Sequence, residues 1–384
     1  MMLPSSVPED SSAPNRALPV RAHERVYQVL RQALRAGEAF TQPEISARTG
    51  LSLPAVIAAV SRLEGRGLVV SSGAKRGVGR PARAIRATPE ANTVLGIDLG
   101  GSVLRAALYD LHGTKLHELE TLSLSGFSHL SRSEALAHLR DVVRQVPQVR
   151  RVGLCAPGIV TPRGTLESSW LFGFTPLERA DLEAALDLPV TLENDARSAA
   201  WGELRRGHGT DNFAFLSFAI GIGAGIVSGG RLLRGSRGAA GELSYLPTRL
   251  SGFTEQPRLG ALAYGFYDTL RAVSHDPDLP GWEAAIFRAA AAGQCEAARA
   301  VGIAVQHLAL AIASLVTVLD PELIVLREEF PHTGELLVNP LRAMLASVGL
   351  PTPIEISSLG RDAGLIGVAL LSAEVLEREL LSGA

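Results

Sequence analysis

Apolar positions along the chain change their spacing from one region to the next, and the change marks out its parts. In "RAHERVYQVLRQALRAG" (21–37), Val26, Val29, Leu30, Ala33 and Leu34 recur at helical spacing, and Gly37 reads as the stop. "TQPEISARTG" (41–50) opens with Thr41 as N-cap, Pro43 in the first turn and Glu44 three residues on, then closes at Gly50. "LSLPAVIAAVSRLEGRGLVV" (51–70) follows at once, with Ser52 as cap, Pro54 in the first turn and Val56, Val60 and Leu63 as an inward stripe. A short glycine turn between two such helices is helix-turn-helix spacing. "GLVV" then starts a strand, and "SSGAKRGVGRPARAIRA" (71–87) reads as a hairpin with a basic tip, a wing carrying Lys75, Arg76, Arg80, Arg83 and Arg86. A three-helix packing unit that touches no DNA would show the same helices; the wing's basic residues favour DNA.

Further on, the pattern becomes strand, glycine turn, strand. "VLGIDLGGSVLRAALYD" (94–110) has this plan, with Asp98 at the end of the first strand beside Gly100, Gly101 and Ser102. "FAFLSFAIGIGAGIVSGGRLLRG" (213–235) repeats it, with Gly229 and Gly230 as a hairpin turn. Two such hairpins suggest duplicated lobes that face each other, each offering backbone N–H groups at a glycine turn, a sensible way to hold an anion. Two β-hairpins that merely fold tightly are the alternative. A last helix is expected around 363–381, packed back on the first lobe.

Length and composition fit this division. At 384 residues the chain exceeds what one compact core serves. It is 46% hydrophobic and 20% charged, as ordinary globular proteins are. Cys155 and Cys295 stand far apart and form neither a disulfide framework nor a zinc ribbon; they suit a reducing, cytoplasmic setting. No apolar run is expected to span a membrane, and residues 1–20 read as a disordered tail without a signal pattern. The net charge of −2 hides an asymmetry: residues 1–90 hold 13 Lys/Arg against 7 Asp/Glu, the remainder 24 against 32. A basic head on an acidic body hints at an anionic partner for the head.

A winged helix ending in "GRP" (79–81) and running through "TPEANTVLGIDLGG" (88–101) resembles the ROK family (repressors, open reading frames and kinases). "APG" (156–158), "LPVTLENDARSAAWGE" (188–203), "GIGAGIVSGGRLLRGSRGAAGEL" (221–243), "DPELIVL" (320–326) and "LGRDAGLIGVALL" (359–371) fit its order and spacing. The resemblance runs from about residue 22 to near the end. It implies an α/β, actin-like (ribonuclease H-like) two-lobed sugar-kinase fold preceded by an all-α/winged-helix DNA-binding domain. Expected boundaries are a tail over 1–20, the winged helix-turn-helix over 21–90, a first lobe over 91–193 plus 362–384, and a second lobe over 194–361. A homodimer is also implied.

The same resemblance assigns chemistry position by position. Asp195 matches the base that family kinases place on a sugar hydroxyl; a carboxylate suits that proton transfer and equally suits plain hydrogen bonding to hydroxyls. Asn194 and Glu242 match sugar contacts. Ser244 and Tyr245 stand where the family has Gly-His, and "TRLSGFTEQPRLGALAYG" (248–265) has no cysteine, so the family's structural zinc is expected to be absent. Trp170 stands near a sugar-contacting Asn, where an indole could stack on a sugar or fill the pocket. The phosphate turns are Asp98, Gly100, Gly101 and Ser102 in one lobe and Gly221 and Gly223 in the other. The second has Ala219 and Ile220 in place of Gly-Thr. After Leu326 come Arg327, Glu328 and Glu329 instead of two glycines, expected to crowd a nucleotide and repel its phosphates.

The expected function is a sugar-responsive transcriptional regulator, a repressor, with a degenerate kinase site and Asp195 vestigial. It would bind a double-stranded operator and a sugar or sugar derivative, with no membrane, no metal and no cofactor. ATP and Mg enter only under the alternative, a sugar kinase carrying a winged helix; a decayed scaffold is a third reading. Recognition helices in the family often read "TVSR"; here Ala55, Val56, Ile57 and Ala58 stand instead. That leaves Ser52, Ser61 and Arg62, with Lys75, Arg76, Arg80 and Arg83 on the wing, and DNA binding that leans on phosphates and shape.

Overall fold

A computed structural model of the chain describes residues 21–34, 37–75, 82–100, 103–119, 122–123, 132–167, 169, 175–218, 221–247, 260–276 and 281–383. The expected tail over 1–20 lies outside them. Contacts divide the chain into two units, Met1–Ala91 with Leu380–Ala384, and Asn92–Glu379.

The first unit runs α1 (Ala22–Leu34), β1 (Phe40–Thr41), α2 (Gln42–Thr49), α3 (Leu53–Glu64), β2 (Val69–Lys75) and β3 (Ala82–Ala87). The strands form an antiparallel sheet in the order β1-β3-β2. Val26, Leu30, Ile45, Val56, Val60, Leu63 and Ile85 are buried and make its core. Thr41 and Glu44 form the expected capping box: Glu44 accepts the Thr41 N–H at 2.7 Å, and Thr41 Oγ1 accepts the Glu44 N–H at 3.4 Å. Gly50 ends α2 at φ 67°. Ser52 departs from expectation: it occupies the N-cap position of α3 with extended backbone, but its side chain makes no capping hydrogen bond. The last residues of the chain, expected in the first lobe, belong to this unit. Arg66 Nη1 donates to the carbonyls of Leu380 and Leu381 at 2.5 and 2.8 Å, and His23 Nε2 meets the Leu381 carbonyl at 2.8 Å. These are the orphan carbonyls of a helix end, and a cationic side chain suits them.

The second unit holds two sheets. The first is built from β4 (Thr93–Asp98), β5 (Val103–Asp110), β6 (Lys115–Glu118), β7 (Leu122–Ser123), β8 (Val149–Ala156) and β12 (Val190–Asn194), in the order β12-β8-β4-β5-β6 with β7 on β5. Helix α4 (Arg132–Arg144) precedes β8. Strands β9 (Ile159–Val160), β10 (Thr165–Glu167) and β11 (Leu177–Glu178) make a small antiparallel sheet, and α5 (Arg179–Leu186) leads into β12.

Helix α6 (Asp195–Arg206) crosses to the second sheet. This contains β13 (Phe213–Ser217), β14 (Gly223–Ser228), β15 (Arg231–Leu233), β16 (Leu323–Leu326) and β17 (Ile354–Ile356), ordered β15-β14-β13-β16-β17. Its helices are α7 (Ala261–Arg271), α8 (Trp282–Ala291), α9 (Cys295–Leu319) and α10 (Asn339–Ser347). The two sheets repeat one plan: an antiparallel hairpin, β4-β5 or β13-β14, flanked by a parallel strand, β8 or β16. Each has its own apolar cluster, around Ile97, Leu139 and Leu154 in one and Phe218, Leu308 and Ile324 in the other.

Helix α9 corrects the expectation that no run is long enough for a membrane. By length and composition it passes that test. Its Ala304, Leu308 and Ile312 pack in the core of the second sheet, as the central helix of a globular lobe does.

The final helix, α11 (Ala363–Ser382), lies across β4, β8 and α6. It comes so close that a Cβ on Gly153 would sit 2.6 Å from the Val368 carbonyl oxygen, and one on Gly367 would overlap the Ser198 carbonyl. Backbone-to-backbone packing of this kind needs glycine.

Candidate functional site

Strand β12 ends at Asn194, and α6 begins at Asp195. This places Asp195 at the carboxyl end of a parallel strand, where open α/β sheets hold ligands. Asn194 is the N-cap: its Oδ1 accepts the Arg197 N–H at 3.0 Å. Its Nδ2 donates to the Gly158 carbonyl and to Asp195 Oδ1, each at 3.1 Å. One of these three bonds holds the Asp195 carboxyl, and the other two cap α6 and tie its start to Gly158. The Asp195 carboxyl keeps a partly exposed surface, yet burial pushes its pKa up to about 6; Arg327 and the first N–H groups of α6 pull against this, and Asp98 adds to it. Glu242 is pushed up to about 7 by burial and by the Asp195 charge, with Arg197 opposing. Tyr245 is 40% exposed and its hydroxyl pKa is raised by burial and by Glu242. Asp195, Glu242 and Tyr245 therefore share one electrostatic neighbourhood.

Both glycine turns converge on the start of α6. A Cβ on Gly100 would sit 2.8 Å from Asp195 Cβ and 2.9 Å from Asp98 Oδ1. A Cβ on Gly223 would meet Ala196 Cβ at 3.6 Å, and one on Gly221 would meet Ser244 Oγ at 3.0 Å. Ser244 accepts the Ile222 N–H at 2.7 Å, so it ties the Glu242–Tyr245 turn to the second glycine turn. Gly101, Ser102, Trp170, Ala219 and Ile220 lie outside the described residues.

Asp98 is already engaged. It is 1% exposed; Arg105 Nη2 donates to its Oδ2 at 2.6 Å, while the Gly100 N–H and the Cys155 thiol donate to Oδ1 at 2.7 and 3.3 Å. The Cys155 thiol is buried and its pKa is raised, first by burial and then by Asp98 and Asp195.

Arg327 follows β16 directly and turns inward. It is 5% exposed and directs Nη1 to the Gly100 carbonyl at 3.4 Å. Burial opposes its charge, but Glu329, Asp98 and Asp195 outweigh burial and raise its pKa. The sequence led us to expect Glu328 and Glu329 as repelling carboxylates. Glu329 instead pairs with Arg327 Nε at 3.0 Å, and the guanidinium is what meets the first phosphate turn.

Sequence reasoning also missed the network beneath Asn194. Arg197 is fully buried; its Nε donates to Glu193 Oε1 at 2.7 Å and its terminal nitrogens reach the Gly238 and Val160 carbonyls. Arg234 Nε takes Glu193 Oε2 at 2.8 Å. Glu193 lies on β12 and Arg197 in the first turn of α6, so no helical spacing in the sequence announced the pair.

In the first unit, Ser52, Ile57, Ala58, Ser61 and Arg62 are exposed on or beside α3, whereas Val56 points into the core. Arg83 is exposed on β3. Arg86 is held by Glu90 at 3.0 Å. Lys75 ends β2; Arg76 and Arg80 lie outside the described residues. Among the described residues no group of His, Cys, Asp and Glu is arranged to hold a metal ion, and 248–259, where the family's zinc cysteines would fall, lie outside them.

Two hairpin-bearing α/β sheets bridged by an Asp-led helix define a two-lobed, actin-like sugar-kinase fold, here preceded by three helices and a hairpin in winged-helix order. The chain belongs to the ROK family, which residues 94–262 and 267–375 match. A ROK family transcriptional regulator described as a homologue of the E. coli MLC protein superposes with a TM-score of 0.70 at 21% identity, covering 95% of this chain and 98% of that one. The xylose repressor of Bacillus subtilis is 22% identical over 358 residues, 86% of this chain and 90% of the repressor. The bifunctional enzyme NanE/NanK of Brucella melitensis is 42% identical over 203 residues, 52% of this chain. The chain spans 38% of the length of that enzyme.

Proposed function

We propose that the protein is a DNA-binding transcriptional regulator, a repressor, whose cleft binds a sugar or sugar derivative without phosphorylating it. The observation that carries this reading is Arg327, whose guanidinium meets the Gly100 carbonyl while Arg105 occupies Asp98. The first phosphate turn has spent its carboxylate on an internal ion pair. A turn so engaged offers no free carboxylate to the metal of ATP, which supports a cleft that works without a nucleotide. A neutral polyol asks less of the cleft: Asp195 and Glu242 accept hydrogen bonds from its hydroxyls, and Tyr245 can donate one. The xylose repressor, similar over nearly its whole length, supports the regulatory reading.

Ligand closing the cleft would draw Asp195 of α6 and Glu242 of the second lobe toward a common set of hydroxyls. Coupling to DNA is then the difference in ligand affinity between the DNA-competent and DNA-incompetent arrangements. Binding as a cytoplasmic homodimer to two half-sites belongs to this proposal. The kinase alternative draws on the Brucella enzyme and on an Asp195 carboxyl whose pKa lies near neutrality, where a general base works best. Fluorescence anisotropy on the duplex upstream of the protein's own gene, against a scrambled duplex, tests the proposal. Preference for the native duplex at physiological salt, relieved by one member of a sugar panel, is the expected result. Sugar-dependent ADP release without duplex preference would establish the kinase instead.

A further inference from the structure

The second unit carries a recess of about 300 Å³ that the reading above does not use. It opens between β12, the turn joining β9 to β10, the start of α5 and the last turns of α11. Four arginines line it: Arg151, Arg179, Arg234 and Arg378. Glu193 and Glu374 also line it, but each is shared with an arginine outside the recess, Glu374 with Arg205 at 3.3 Å. Glu193 serves two guanidiniums, taking Arg197 on Oε1 and Arg234 on Oε2. Arg179 reaches Glu183 only at 3.7 Å. Arg378 donates Nε to the backbone carbonyl of Glu374 at 3.1 Å, and no carboxylate pairs with it among the described residues.

Two lining donors are buried and unsatisfied. Arg151 is 7% exposed; one terminal nitrogen pairs with Glu379, but among the described residues neither its Nε nor Thr191 Oγ1 has a partner. A buried donor left unpaired carries a desolvation cost, so a ligand that satisfies it is favoured. Val160, Val190, Leu371 and Val375 supply apolar walls. Convergent guanidiniums, spare donors and apolar walls suit an oxyanion carried on a small organic body.

We propose that this recess is a second binding site, for a small phosphorylated metabolite of hexose-phosphate size. Its phosphoryl group takes the arginines and the Thr191 hydroxyl, and its carbon skeleton lies on the apolar wall. Glu193 joins the recess to the cleft, because the oxygen opposite Arg234 accepts both the Asn194 N–H, at 2.9 Å, and Arg197.

The test is isothermal titration of the full chain with inorganic phosphate, glucose 6-phosphate, glucose and glutarate. Thr191→Val removes an unpartnered hydroxyl and Arg378→Gln alters an exposed side chain, so both are expected to fold with an unchanged unfolding midpoint. Both should weaken phosphate and glucose 6-phosphate binding by about tenfold. Asp195→Asn, which alters the cleft, should leave inorganic phosphate binding unchanged, so the two sites fail or succeed separately. No saturable phosphate binding at millimolar concentration would overturn the proposal. So would binding lost in Asp195→Asn but kept in Thr191→Val, which would put the anion in the cleft. Glutarate binding more tightly than phosphate would make the site one for carboxylates and overturn the assigned class.

Discussion

Asp195 and Glu242 are held in the folded protein with carboxyl groups that resist ionisation. Their ordinary values of 3.8 and 4.5 rise to about 6 and 7, chiefly because burial disfavours the charged form. The sign of the linkage follows. Below about pH 3 both groups are protonated folded and unfolded, and neither penalises folding. As pH rises through the folded values, the unfolded chain has already released protons that the folded chain still holds, and stability falls. Each group costs on the order of 2 kcal/mol above neutrality, and they share part of that cost because each charge raises the other. Asp195→Asn and Glu242→Gln are therefore expected to be more stable than the parent at pH 8, with the gain shrinking as pH falls and gone below about pH 3. Urea midpoints across that range measure it. A pH profile that the double variant leaves unchanged would remove the cleft carboxylates as the cause. If the cleft binds a sugar as proposed, the same substitutions should cost effector affinity, since an amide nitrogen replaces a carboxylate oxygen that accepts from a sugar hydroxyl.

At the scale of elements, the β4–β5 hairpin gives Asp98 a structural role that does not depend on a nucleotide. Asp98 and Arg105 stand directly opposite in its register, and Arg105 also holds Asp362 at 3.0 Å. Arg105→Met leaves a buried charge short of its partner and should destabilise the second unit by about 3–5 kcal/mol. In an Asp98→Asn background the same substitution should cost far less, and a double-mutant cycle on urea unfolding reads the difference. Equal costs in both backgrounds would mean that Arg105 acts through Asp362 alone. This hairpin was legible in the sequence because glycines close it over a few residues; so was the Thr41–Glu44 capping box, which needs only a spacing of three. What could not be read were contacts set by chain-distant elements. Arg327 reaches Gly100 across more than two hundred residues because β16 lies parallel to β13 and aims its end at the first lobe's turn. The sequence showed that charged side chains rather than glycines follow Leu326, but not that the cation among them would reach the first lobe's turn. The capping role of Ser52 failed for a smaller reason, since a serine in the right backbone conformation can still turn its hydroxyl to solvent.

Across the whole molecule, charge and chemistry are divided between the units. Residues 1–90 carry the basic excess and the remainder the acidic one. The exposed side of α3 offers Ile57, Ala58, Ser61 and Arg62, so methyl and methylene surface outweighs hydrogen-bonding groups. A helix of this kind touches thymine methyls and reads few base edges. Under the proposed regulatory reading, affinity for an operator must then come largely from cations on phosphates, which carry no sequence information but release counterions. Arg83, exposed on β3 and without a carboxylate partner among the described residues, is the cleanest probe of that term. Arg83→Ala is expected to weaken binding to native and scrambled duplexes by the same factor, and to reduce the slope of log affinity against log salt by about one per bound copy. Ser61→Ala should do the reverse, leaving the salt slope unchanged while narrowing the gap between the duplexes. If Arg83→Ala instead narrowed that gap and left the slope unchanged, the wing would be reading minor-groove width at a particular site. Specificity would then reside in the hairpin rather than in the helix, consistent with a recognition helix whose exposed side is mostly alkyl.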